Sequence, residues 1–288
     1  QSILVFKVND PGIFIRNLSF KKLKVNLQHF AIRSSRHFLP KRNTPVAITL
    51  HNISNNNISW FRQLVGYIHT KYGFIDPNHC LENIFKIEGT NRVLLTFDDG
   101  FKSSREVAED ILQPLGIKSM FFISNSFIGI NEQDSKKFAQ KNIYRNRLLT
   151  PEDGKMTSMD WNDINWLTKY ENLICAHTST HPTLSKLTQT EKYKEIVTAS
   201  DQLEQKIGIP IRNFAYPFGT LTDIDEEAVK IASLRFDHSF SNIRGSLPMS
   251  DLAAQLAFWG MSTMMDSTKC FSFRPERTAW VTTSGAPS

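Results

Sequence analysis

From about residue 44 the chain alternates short apolar runs with segments of helical period, and few folds accommodate that alternation. The runs are 46–50 (VAITL), 92–97 (RVLLTF), 117–123 (IKSMFFI), 173–176 (LICA) and 211–216 (IRNFAY), with 238–243 (HSFSNI) as a further strand. Between them, Trp60, Leu64, Tyr67 and Ile68 recur at helical spacing up to Gly73. Ser103 stands where it would cap a helix carrying Val107, Ala108, Ile111 and Leu112, closed by Pro114 and Gly116. Residues 160–169 return to helix, and 188–207 form the longest one, opened by Thr188 with Glu191 in a capping-box pattern. Strand and helix in turn are the signature of an α/β domain.

One stretch interrupts the pattern. Residues 124–156 are polar and irregular, with Gly129, Pro151 and Gly154, and read as a long insertion over one face. Trp161 and Trp166 follow it as helix packing residues. Beyond about residue 265 the periodicity is lost. The division expected is a basic N-terminal arm (1–43), one α/β domain (44–264) and an irregular tail (265–288). The arm holds nine Lys or Arg against a single acid, Asp10, and so exceeds the net charge of +6 carried by the whole 288-residue chain. It suits a solvated flank, or peripheral contact with an anionic membrane or glycan surface.

Several classes drop out. Nothing has the form of a helix-turn-helix, a zinc finger or an aromatic strand platform, so nucleic acid is not an expected partner. No apolar run approaches the roughly 18–20 residues of a membrane-spanning helix. The sequence starts at Gln1 without a basic-then-apolar leader, which leaves location open. Cys80, Cys175 and Cys270, odd in number and far apart, suit neither a disulfide framework nor a zinc ribbon.

Three clusters carry chemistry. Asp98 and Asp99 end an apolar strand before Gly100; they read either as a turn or as a carboxylate pair that a cation or proton compensates. His177 and His181 stand at i and i+4 directly after a strand, and on one helical turn that spacing places both rings on one face, close enough for a single ion. Residues 212–219 (RNFAYPFG) read either as a strand end and turn or, through Arg212, as a fixed cation orienting a nearby carboxylate.

In this order the clusters resemble the NodB-like polysaccharide deacetylases, carbohydrate esterase family four. The family's Thr-Phe-Asp-Asp-Gly stands at 96–100, its His-Ser/Thr-x-x-His at 177–181 followed by Pro182, and its Arg-to-aromatic-Gly motif at 212–219. The resemblance covers residues 44 to about 250. It implies a distorted (β/α)7–8 barrel whose loops build the site at the strand ends. It also implies roles: Asp99, His177 and His181 hold a divalent metal, Asp98 is the general base, Arg212 holds Asp98, and the backbone N–H of Phe218 stabilises the oxyanion. The family's acid usually lies in a C-terminal Leu-x-His motif, which nothing after residue 219 supplies; His238 lies within an expected strand. In biofilm poly-N-acetylglucosamine deacetylases that histidine comes from an N-terminal strand in permuted order. Ala47-Ile48-Thr49-Leu50-His51 is similar to that element, so His51 is preferred to His238.

The implied activity is metal-dependent removal of N-acetyl groups from an N-acetylglucosamine-containing poly- or oligosaccharide. A glycan-binding domain with impaired catalysis and an O-acetyl esterase are the alternatives. Zinc is the first choice of ion, though two imidazoles and a carboxylate also accept Co2+, Ni2+ or Mn2+. Residues 124–156 are the expected specificity loop. The resemblance favours the cell envelope or the extracellular space.

Overall fold

The computed structural model describes residues 4–7, 46–80 and 92–242. Seven strands form one parallel sheet in chain order: β1 (Leu4–Lys7), β2 (Val46–Leu50), β3 (Val93–Phe97), β4 (Met120–Ile123), β5 (Leu173–Ala176), β6 (Asn213–Ala215) and β7 (His238–Phe240). The pairing of β2 with β3 runs in step from Val46↔Val93 to Leu50↔Phe97. Parallel neighbours need crossovers, and helices supply most of them. These are α1 (Ile58–Lys71), α2 (Lys102–Val107, running into a widened π turn at Ala108–Leu112), α3 (Glu132–Phe138, running into another at Ala139–Ile143) and α4 (Trp161–Lys169). A long helix over 189–207 is α5, and α6 is Glu226–Arg235.

The central strands β3 to β5 are almost wholly apolar and buried because both faces of the sheet are covered there. Leu95, Phe97, Phe121 and Ile123 point to the helical layer and pack with Phe61, Val65, Ile164 and Leu203. Leu94, Met120 and Phe122, the alternate positions, point inward and pack with Ala47, Cys175, Ala215 and Phe240. A parallel sheet curled around a small inner layer and wrapped by helices is the open β/α barrel expected. Burial first, and then the Asp98 charge, push the Cys175 thiol up, so it remains an unreactive core residue. Trp161 and Trp166 pack against the helical layer, and no helix among the described residues is long and apolar enough to cross a membrane.

The structure departs from expectation in three places. Ser103 does not cap α2, whose N-cap is Phe101. Its hydroxyl instead donates to Asn52 Oδ1 (2.7 Å) and accepts from the Ile53 N–H (3.0 Å), tying the end of β2 to the helix. The 124–156 insertion is not irregular throughout: it contains α3, capped by the Asn131 side chain, and a small core of its own formed by Phe101, Phe127, Ala139, Ile143 and Met156. Leu4–Lys7, within the stretch read as a basic arm, is a strand paired with β2. Residues 8–43, Cys270 and the tail 265–288 lie outside the described residues.

Candidate metal centre

All strands of a parallel sheet end on one rim, and the motif residues collect there. β3 delivers Asp98 and Asp99. The backbone turns left-handed at Asp99 (φ 73°), which carries its carboxylate inward until the residue is 0% exposed. Gly100 continues the bend at φ 102°, and a Cβ there would lie 2.6 Å from Ile128 Cδ1. The Gly of the motif is thus required by the backbone conformation, while Ile128 would have to shift for any side chain there.

His177 ends β5. The following segment is a loop, which corrects the single helical turn expected for His177 and His181. Thr178 (φ 66°) and His181 (φ 58°) are both left-handed, and the chain bends back so that the two rings lie 4.9 Å apart, edge to face. A left-handed non-glycine residue costs roughly 1–2 kcal/mol, so neighbours must hold the loop. The His181 N–H donates to Thr178 Oγ1 (3.1 Å) and the Ser126 N–H to the Ser179 carbonyl (3.0 Å). Glu195, on α5, accepts from Ser179 N–H (2.8 Å), Thr180 N–H (2.9 Å) and Thr180 Oγ1 (2.7 Å). No sequence signal marks this clamp. If the site holds a divalent ion, Glu195→Ala should weaken its binding by about 10- to 100-fold, with far-UV circular dichroism unchanged; a metal titration matching wild type would show that the loop holds itself.

Asp99, His177 and His181 bring three ligand atoms within 4.8 Å of one another. Asp99 Oδ1 lies 3.2 Å from His181 Nε2 and 3.7 Å from His177 Nε2. The other ring nitrogens face carbonyl oxygens: His177 Nδ1 meets Ala215 O at 2.8 Å, and His181 Nδ1 meets Asn142 O at 3.2 Å. A carbonyl only accepts, so each Nδ1 carries a hydrogen and Nε2 is the ring atom turned toward the buried carboxylate. Two ring nitrogens gathered on one buried carboxylate are stable only with a cation or protons between them. The donor set therefore fits a divalent ion, with positions left open for water and substrate. Asn142 belongs to the widened turn after α3, so the insertion orients a ligand as well as covering the rim. Burial, and secondarily the Asp99 charge, push the nearby Tyr144 phenol well up, which keeps it a neutral hydroxyl.

The remaining expected site residues divide between the two ends of the sheet. Leu50 pairs with Phe97, so His51 and Asp98, one step on, are neighbours; His51 Nε2 lies 3.8 Å from Asp98 Oδ2, and both residues are buried. Phe218 (φ 60°) sets its ring edge to face with His181 at 4.5 Å, and its carbonyl accepts from Asn242 Nδ2 at 2.7 Å. Arg212 is a correction. It precedes β6, with the strand's length of about 10 Å between it and the rim, and its guanidinium pairs with Asp237 (3.4 Å) while its side chain is 67% exposed. The strand direction that brings Phe218 to the rim takes Arg212 away from it, so it does not hold Asp98. His238 opens β7 at that same far end, against Asn213 Oδ1 at 3.2 Å.

Gly219 (φ 68°) leaves no room for a side chain, since a Cβ would sit 2.6 Å from the Asn242 backbone nitrogen. Gly219→Ala should cost about 1–3 kcal/mol, read as a lowered urea midpoint at unchanged m-value.

Comparison with known proteins follows the same lines. The sequence profile described as polysaccharide deacetylase matches residues 86–236, just over half of the chain. Among solved structures, IcaB from Ammonifex degensii superposes with a TM-score of 0.55 at 18% identity, over 76% of this chain and 98% of its own. BC0361, a polysaccharide deacetylase from Bacillus cereus, gives a TM-score of 0.51 at 16% identity, over 71% of this chain and 59% of its own. At such identities the likeness is one of fold. No curated protein matches the chain.

Proposed function

Because this chain belongs to the polysaccharide deacetylase family and is a carbohydrate deacetylase, we propose that it uses a divalent ion at Asp99, His177 and His181 to hydrolyse the acetamido group of an N-acetylglucosamine-containing glycan. The observation that carries this reading is the gathering of two Nε2 atoms on one buried carboxylate, each ring held by a carbonyl on its far side. When bound, an ion of this kind acts as a Lewis acid that acidifies water and polarises a carbonyl. Zinc is the first choice for this donor set.

The chain's own groups divide the proton work. Asp98, on the rim beside the ligands, takes the proton of the attacking water. The N–H of Phe218 donates to the oxygen that becomes negative as the carbonyl is attacked, a contribution of about 3 kcal/mol for a well-aimed donor. His51 gives a proton to the departing amine, which leaves poorly as an anion. Their 3.8 Å separation couples the two groups. Arg212 has no part in this scheme.

The experiment is acetate release from an N-acetylglucosamine tetramer by protein purified with zinc, with an O-acetylated glycan run in parallel. Activity should be lost on chelation and return with added zinc. Release from the O-acetylated glycan alone, or release that chelation leaves untouched, would overturn the proposal.

A further inference from the structure

Beside the metal centre the rim opens into a cavity of ≈530 Å³. That volume lies within the range of small-molecule sites and is far more than an acetamido group fills. His181 and Phe218 line it together with Lys141, Arg145 and Lys186, so the cavity is continuous with the reacting site.

Its charge is one-sided. The anion among its lining residues, Asp223, has a side chain 3% exposed, with its carboxylate held by Arg145 and by Thr220. Arg145 in turn lies 3.6 Å over the Phe218 ring and also donates to Thr183 Oγ1 (3.3 Å), so its guanidinium is fixed while half of its side chain stays exposed. Lys141 and Lys186 are exposed, and their ammonium groups have no ion-pair or hydrogen-bond partner among the described residues. Two ammonium groups without an ion-pair partner on the wall of one cavity give it a positive potential, which favours an anionic group over a neutral sugar.

Resting on the deacetylase reading, we propose that this cavity is a subsite for an anionic group of the glycan, a carboxylate or a phosphate on the sugar next to the one that loses its acetyl group. Lys141 and Lys186 read the charge. Arg145, stacked on Phe218, forms the fixed cationic wall toward the reacting end. The preferred substrate is accordingly an acidic glycan rather than a plain N-acetylglucosamine homopolymer.

The test compares three tetramers with zinc-loaded protein: N-acetylglucosamine alone, N-acetylglucosamine alternating with glucuronic acid, and N-acetylglucosamine bearing 6-phosphates. A charged tetramer should have a kcat/KM about tenfold above the neutral one, and the advantage should shrink as ionic strength rises. Whichever charged tetramer holds the larger advantage identifies the anion. In a Lys141→Gln/Lys186→Gln double variant the ratio of charged to neutral should fall toward unity, with thermal unfolding unchanged. Equal kcat/KM for all three on the wild type, or an advantage that survives the double substitution, overturns the proposal. Release from none of them refutes the deacetylase reading instead, and calorimetry then decides the subsite. Charged tetramers that bind wild type and not the double variant uphold it; binding that is equal in both, or absent from both, refutes it.

Discussion

Asp98→Asn should lower kcat by about 10²- to 10⁴-fold while the protein still carries zinc in stoichiometric amount. The substitution is nearly isosteric and leaves the backbone bond from Asp98 N–H to the Leu50 carbonyl in place. The donor atoms of the triad come from other residues, so metal content is the control that separates lost chemistry from a lost site. An amide cannot take a proton from water near neutral pH, and it removes the charge opposite His51, so base and acid are weakened together. KM should change little, because Asp98 is asked to act on the proton and not to hold the sugar. Turnover near the wild-type rate would remove Asp98 as the base; loss of zinc would make it a ligand.

His177→Ala should abolish both stoichiometric zinc and activity. One of three ligands disappears, and the substitution also strands the Ala215 carbonyl that receives the His177 ring N–H. The cleanest readout is thermal. An ion binding only the folded state at 100 times its Kd stabilises by about 2.7 kcal/mol, so wild type should melt several degrees higher with zinc than with chelator. The variant should show no such difference. A zinc-dependent shift that survives would mean that the ion is held elsewhere.

Much of this was legible in the sequence, for identifiable reasons. Strands such as VLLTF are apolar on both faces, so their runs stand out, and the boundaries of α5 were marked by Thr188 and Glu191, whose carboxyl the Thr188 N–H holds below its usual range. Spacing placed the two histidines together correctly but for the wrong local reason. A repeat of four is compatible with a helical turn and equally with a loop bent at two left-handed residues, and nothing in Thr-Ser-Thr distinguishes them. Arg212 was misplaced because a motif read as a string ignores strand direction: its first and last residues lie at opposite ends of β6. α3 had a signal that was passed over, Asn131 before Asp134, Ser135 and Phe138, with a side-chain oxygen placed to cap. Asn142 was out of reach of any pattern, since it contributes a backbone carbonyl and any residue type supplies one.

The unbroken strand order also bears on how the centre comes into being as the chain leaves the ribosome. In that order Asp99, after the third strand, is synthesised before His177 and His181, and the sixth strand comes after all three ligands. A nascent chain that stops short of β6 owns all three ligands yet lacks the Ala215 carbonyl that fixes the His177 tautomer. Such a truncated chain should bind a divalent ion more weakly than the full chain, because a ligand ring without its far-side partner is less well oriented.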